Sequence, residues 1–368
     1  MRVPALPYEP IPDRRAALRL VAGGFAALAV PTTRAEQLSL ERAKPPLFGS
    51  AVNPRLLESD PVYRAALRRH CRIVVPEGGL KWAGLRPTPD EFRFRYGDAI
   101  AAFAQQNGLI MRGHTLVWHM AMPEWTSALQ SAREVQAAMT FHIENVVGRY
   151  AGRIASWDVV NEPLPEDPGP PSDRRDTVWH RHLGESYVAL ALRLAAAADP
   201  HAELVINEYD LEHSGERFDR KRAAMLDLVA KVRGAGAPLH AIGLQAHLRG
   251  ERTIDRVALR KLILELRQME LQILVTELDV IDWALPFDIE TRDRLVADRA
   301  EEFLETVFEA CTPGAVLTWG LSDRHAWIPA HFKRRDGAPN RLLPLDDDYR
   351  PKPLMNVLRR FGATDRSD

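Results

Sequence analysis

Two glutamates end apolar runs in this chain: Glu162 closes "WDVVNEP" (157–163) and Glu277 falls within "VTELDV" (275–280). A carboxylic acid that protonates a leaving oxygen, paired with a second that attacks or stabilises an anomeric carbon, is the equipment for glycosidic bond cleavage. The two lie 277 − 162 = 115 residues apart, so only the fold can bring them together. His247 is a candidate to hydrogen-bond Glu277 and hold it ionised, and Asp279, on the same side of its strand as Glu277, to orient that imidazole. Asn161 can donate to a sugar hydroxyl beside the scissile bond. Trp118, Trp319 and Trp327 offer flat apolar faces for pyranose rings. Taken singly, a strand-end Glu is more often a helix-terminal charge or a loop ion pair, a His a structural hydrogen-bonder and a Trp core.

Those residues share a position within their local elements. Short apolar runs rich in β-branched residues recur at 47–53, 72–77, 109–118, 153–162, 202–210, 241–248, 271–280 and 314–323, separated by segments such as 133–151, 184–200, 217–236 and 256–270 with apolar residues at helical spacing. Apolar residues come first and polar residues last: His114, Trp118 and His119 on the third run, Asn161 and Glu162 on the fourth, Asn207, Glu208 and Tyr209 on the fifth. Gln245 and His247 close the sixth, Glu277 and Asp279 the seventh, Trp319 and Asp323 the eighth. Eight strands alternating with helices predict an α/β fold, a single (β/α)8 TIM barrel from about residue 40 to 362, with the polar strand ends gathered at one mouth. The runner-up is an open doubly wound sheet with a second domain, which would normally carry a cofactor loop; neither GxGxxG nor a P-loop is present.

Composition narrows the partners. The chain has 368 residues and a formal net charge of -1, with no long block of like charge, so it presents no basic field for nucleic acid. A metal reading would use His114 and His119, five apart, with His247 and Asp279, but the tight His-x-His that barrel metallohydrolases usually carry on an early strand is missing. No metal and no organic cofactor is expected. Cys71 and Cys311 each precede a different predicted strand, separated in the barrel by a third; a spacing of about 10 Å, against a limit near 7 Å, predicts two free, buried thiols.

At the N-terminus, Arg14-Arg15 precedes a weakly apolar run that ends in small and polar residues around Ala35. It resembles a twin-arginine export signal over residues 1–35, ahead of a catalytic barrel over 36–368; the alternative is a tail with a chance Arg pair. The run is too short to span a bilayer, and export predicts a periplasmic or secreted protein with no membrane span in its mature form and a monomeric state.

Together "RGHTLVWH" (112–119), "WDVVNEP", "NEYD" (207–210), "GLQAHL" (243–248), "VTELDV" and "TWGLSDRHAW" (318–327) resemble the glycoside hydrolase family 10 endo-β-1,4-xylanases over about residues 47–361. That resemblance implies a retaining reaction on xylan, with Glu162 as acid/base and Glu277 as nucleophile. It implies that His114, Asn161, Gln245, His247, Trp118 and Trp319 surround the sugar at the cleavage point. Glu77 and Lys81 match contacts to the next sugar on the non-reducing side, and Trp327 an indole over the glycone subsites. His119 and Tyr209, within the same motifs, complete the expected substrate-binding set. Two departures stand out: Gly78 where the family commonly has Asn, and Ala121 where it has Gln. Both remove hydrogen bonds from one glycone subsite, which implies weaker binding of plain xylan or room for a decorated sugar. The insertion 164–180, rich in Pro and charge, reads equally as an aglycone wall and as a solvated loop. Other readings are a β-glycosidase acting on short or aryl-linked oligosaccharides and a carbohydrate-binding barrel without turnover.

Overall fold

All eight apolar runs form strands in the computed structural model, which describes residues 46–170, 172–327 and 332–365. In chain order they are β1 (Leu47–Val52), β2 (Ile73–Pro76), β3 (Ile110–Val117), β4 (Ser156–Asn161), β5 (Glu203–Glu208), β6 (Ala241–Leu244), β7 (His247–Arg249), β8 (Gln272–Ile281) and β9 (Ala315–Thr318). Nine segments make eight staves because the sixth run breaks between Leu244 and His247, where Ala246 adopts φ 60°. Neighbours run in the order β6-β5-β4-β3-β2-β1-β9-β8, and the β6–β8 pairing closes the circle, with β7 extending the sixth stave along β8. Every ladder is parallel. The result is the (β/α)8 barrel expected, not an open sheet. The Arg14-Arg15 segment lies outside the described residues.

Two apolar layers hold the barrel. Alternate strand residues turn inward or outward. Ala51, Ile73, Val75, Val205, Leu274 and Leu317 share one small cluster with Trp319, while a much larger cluster joins the strands to the surrounding helices. The helices start where the sequence supplies caps: Ser131 and Glu134 form a reciprocal capping box on Ala132–Tyr150, and Asp255 and Asp288 cap Arg256–Gln268 and Ile289–Ala310. Such caps fix the residue at which each helix starts after the loop that precedes it.

Irregularities fall in the middle or C-terminal parts of three strands. The register shifts between His114 and Val117, between Asp158 and Val160, and between Val275 and Leu278. Bulges of this kind re-aim side chains next to functional sites. Neither Cys71 nor Cys311 is in a disulfide, as expected, but only Cys71 is buried. Cys311 is half-buried because it ends a long helix at the periphery rather than beginning the strand core.

Candidate active site

Strand register does most of the positioning. Asn161 on β4 lies directly opposite Asn207 on β5, which lies opposite Gly243 on β6. A Cβ on Gly243 would sit 2.2 Å from Asn207 Oδ1, so glycine is required for the asparagine to fit. Thr276 Oγ1 donates to that same oxygen at 2.7 Å and turns the amide so that Nδ2 faces the cleft. Asn207 Nδ2 then donates to Glu277 Oε1 at 2.6 Å and to Asn161 Oδ1 at 2.9 Å. Asn161 Nδ2 in turn donates to Glu162 Oε1 at 3.1 Å. One hydrogen-bonded chain thus runs from Glu277 through two amides to Glu162, and Gln245 Nε2 braces it at Asn161 Oδ1 (3.3 Å) and Glu162 Oε1 (3.2 Å).

The two carboxylates have different company. Glu162 follows β4 with φ 55°, a left-handed conformation that brings its side chain into the same cleft as that of Asn161. Its Oε2 accepts from Trp118 Nε1 at 2.8 Å, so the direct donors to its side chain, an indole and two amides, are neutral. His119 Nδ1 lies 3.8 Å from Glu162 Oε2. Burial, reinforced by the nearby Arg175, pushes that imidazole down to about 4, which leaves it neutral.

Glu277 faces cations. His247 Nε2 lies 3.2 Å from Glu277 Oε2, and His247 Nδ1 lies 3.1 Å from Asp279 Oδ1, its partner across the β7–β8 ladder. Burial alone would discharge His247, yet Asp279 and Glu277 outweigh it and hold the imidazole well above its ordinary value. Burial likewise pushes Glu277 up, but the His247 hydrogen bond, with the fields of His114, His247 and Lys81, brings it down to about 2. Lys81 sits 4.8 Å from the Trp118 ring centre and 5.5 Å from that of Trp319. Burial lowers its own affinity for a proton against the pull of Glu277, Glu77 and Glu162.

The remaining expected residues line up around this pair. His114 is buried, its Nδ1 3.0 Å from Asp158 Oδ2, and its ring stands edge-on to Trp319 at 5.1 Å. Trp327 donates Nε1 to Asp279 Oδ2 at 2.7 Å and packs 4.8 Å from His247, so it braces the imidazole besides offering a face. Trp319 is 6% exposed, so its face is largely covered by its neighbours. Glu77 shares a small recess with Asn53, Tyr63 and Trp319. Tyr209 is more remote from Glu277: its hydroxyl accepts from Arg175 at 2.7 Å and its ring covers Lys221 Nζ at 3.5 Å. The histidines weighed for a metal are held apart by carboxylates, His114 by Asp158, His119 beside Glu162 and His247 between Glu277 and Asp279.

Sequence reasoning missed three participants. Asn207, the link between the glutamates, was visible only as one polar residue among several at its strand end. Asp158 orients His114 and also pairs with the buried Arg112. Arg175 belongs to the insertion 164–180; its Nε donates to the carbonyl of Glu162 at 3.0 Å and its backbone N to Pro163 O at 2.8 Å. The second half of the insertion is therefore built into the cleft wall, and with His119, Met122 and Leu129 it encloses a cavity of about 370 Å³ lined by Asp176, Thr177 and Arg181. In its first half Glu166 and Asp167 are exposed, while Leu164 and Pro168 are buried.

A parallel barrel with two linked carboxylates and three indoles at the C-terminal mouth defines the class of barrel glycoside hydrolases. Comparison with known proteins narrows the class. The profile of "Glycosyl hydrolase family 10" matches residues 38–360. The chain is 33% identical over 318 residues to endo-1,4-beta-xylanase 1 of Humicola insolens, covering 84% of this chain and 70% of that protein. It is 32% identical over 336 residues to endo-1,4-beta-xylanase A of Phanerodontia chrysosporium, covering 88% and 76%. Among solved structures, native xylanase 10B from Thermotoga maritima superposes with a TM-score of 0.78 at 28% identity, covering 89% of this chain and 96% of that one. The chain belongs to glycosyl hydrolase family 10.

Proposed function

We propose that the protein is a retaining endo-β-1,4-xylanase, a hydrolase of internal β-1,4-xylosidic bonds, in which Glu277 is the nucleophile and Glu162 the acid/base. The observation that carries this assignment is the asymmetry across the Glu277–Asn207–Asn161–Glu162 chain: a cation on one carboxylate, neutral donors on the other. In the first step a Glu277 oxygen bonds to the anomeric carbon while the glycosidic C–O bond breaks, and Glu162 gives its proton to the departing oxygen. In the second, Glu162 takes a proton from water, the resulting hydroxide attacks the anomeric carbon, and Glu277 leaves as carboxylate. Asn161 is placed to meet the sugar hydroxyl next to the reacting carbon. His247, Asp279 and Trp327 keep Glu277 anionic and aimed. Lys81, Glu77, His114 and Gln245 provide the polar contacts to the sugars, and Trp118, Trp327 and the small uncovered part of Trp319 the apolar surface; His119 and Tyr209 stand on the acid/base side.

Two experiments test the reading. Glu277→Ala is expected to abolish turnover of xylohexaose and xylan while the variant still folds, with a single cooperative thermal melt at a lowered midpoint. Proton NMR of the first product formed by the wild type should show the β anomer before mutarotation. An active Glu277→Ala, or an α anomer appearing first, removes the nucleophile assignment. Product chromatography separates an endo-enzyme, which yields short oligosaccharides, from a glycosidase confined to short or aryl-linked substrates. We also propose that residues 1–35 are a twin-arginine-type export signal ahead of a catalytic barrel at 36–368. Among the described residues no helix is long and apolar enough to cross a membrane. Substitution of Arg14-Arg15 by Lys-Lys should block export of the full chain; export unchanged by it would refute the signal.

A further inference from the structure

Asp210, Glu212 and His213 follow β5 and take no part in the chemistry proposed above. They are 8%, 1% and 1% exposed, and one ligand-type atom from each lies within 4.8 Å of the other two. Interior polar atoms are nearly always hydrogen-bonded. Here they are only partly so. Asp210 Oδ2 accepts from Arg217 at 2.6 Å, which leaves Oδ1. His213 Nδ1 lies 3.2 Å from the carbonyl of Thr253. A carbonyl can only accept, so Nδ1 carries the proton and Nε2 presents a bare lone pair, the tautomer and bracing found in metal-bound histidines. Neither His213 Nε2 nor Glu212 Oε1 has a hydrogen-bond partner.

Two buried acceptors and a second carboxylate crowded together repel one another unless a proton or a cation joins them. Lys221 and Arg222 are close in sequence space but occupied, Lys221 with Glu208 at 3.0 Å and Arg222 with the carbonyls of Leu211 and His213 at 2.9 Å each. We propose that Asp210, Glu212 and His213 form a binding site for a divalent cation of the zinc or manganese class. One imidazole nitrogen with two carboxylate oxygens suits those ions; calcium prefers six to eight oxygens. Zinc bonds of about 2.1 Å allow ligand atoms no more than about 4.2 Å apart, so side-chain rotations of a few tenths of an ångström close the set. Arg217 on Asp210 competes with the ion for that carboxylate. The consequence is mechanical. The backbone N of Asp255 donates to Glu212 O at 2.8 Å and His213 bridges Ile254, so an ion here stiffens the junction of the loop carrying Tyr209 with the segment leading into Arg256–Gln268.

The test reads metal, not activity, and its outcome is independent of the proposed function. The tag-free full chain is stripped with chelator, titrated calorimetrically with ZnCl2 and MnCl2, and assayed for retained metal after gel filtration. One equivalent is expected, weakened at least tenfold by Glu212→Gln and by His213→Gln. The pair His180→Ala and His182→Ala, which removes the two neighbouring imidazoles on the helix Val178–Leu183, should leave binding unchanged. No retained metal, or binding that survives both site variants and disappears with the His180/His182 pair, overturns the site. Should the site variants fail to fold, zinc-edge X-ray absorption on the wild type decides: an oxygen-rich shell with one imidazole supports it, while sulfur or several imidazoles refutes it.

Discussion

Replacing Asn207 with alanine should disable the active site without touching either glutamate. Its Nδ2 makes a 2.6 Å bond to Glu277 Oε1 and a 2.9 Å bond to Asn161 Oδ1. A hydrogen bond to a charged group contributes about 1.5–3 kcal/mol and a neutral one about 0.5–1.5 kcal/mol. Thr276 Oγ1, which donates to Asn207, keeps a second acceptor in Leu244 O at 3.2 Å, so its hydroxyl is not orphaned. The loss of transition-state stabilisation is then about 2–4 kcal/mol, or about 30- to 1000-fold in kcat/KM. The sign of the pH effect follows separately: a donor to the ionised carboxylate favours that form, so its removal raises the Glu277 pKa and moves the acid limb of kcat/KM upward. Initial rates on an aryl β-xylobioside from pH 3 to 8, with a thermal melt as the folding control, supply both quantities. A folded Asn207→Ala enzyme within threefold of wild type and with an unmoved acid limb would refute the claim that this amide couples the two carboxylates.

Three other outcomes are expected. Lys221→Met strands the fully buried Glu208 carboxylate and should destabilise the fold by about 3–5 kcal/mol in urea unfolding, with partial recovery on adding Glu208→Gln. Glu277 falls from its ordinary 4.5 to about 2 on folding, so its contribution of roughly 3 kcal/mol is present above 4.5 and lost as pH drops toward 2; unfolding free energies should show wild type losing that much more than Glu277→Gln between pH 5 and 2. Gly78→Asn, at an exposed position where an added Cβ meets nothing within 4 Å, should leave the melt unchanged and raise kcat/KM on linear xylohexaose about 2- to 10-fold, the worth of one hydrogen bond. A decrease there would count against Gly78 as a lost sugar contact.

The barrel was legible because eight apolar runs each ended polar, and a mouth is where such ends can meet. The placement of Glu162, Glu277, His247 and Asp279 at that mouth was legible for the same reason. What could not be read was which face each residue takes. Asn207 and Glu208 are neighbours on β5, and strand alternation sends the amide to the cleft and the acid outward to Lys221. Asn161 and Glu162 are neighbours too, yet both enter the cleft, because Glu162 has φ 55° and breaks the alternation. Periodicity carries no mark of that left-handed residue, nor of Ala246, whose φ of 60° splits the sixth stave. Cys311 was misplaced on related grounds: proximity to a strand in sequence does not distinguish the end of a peripheral helix from the core.

The return of Arg175 to Glu162 and Pro163 has a consequence for how this cleft can change. The excursion from Leu164 to Arg174 begins and ends on the same two residues, since Arg175 reaches back to the carbonyls of both Glu162 and Pro163. It behaves as a loop tied off at its neck. Chain added or removed around Glu166 and Asp167 gives up the surface contacts of those residues with Arg217 and Arg220 and alters a closure entropy that grows slowly with length, about 0.6 kcal/mol per doubling. The neck holds Glu162 in register whatever the tip does, so the tip is a graft point: new sugar-binding segments can be exchanged there, by evolution or by design, while the reaction centre stays as it is.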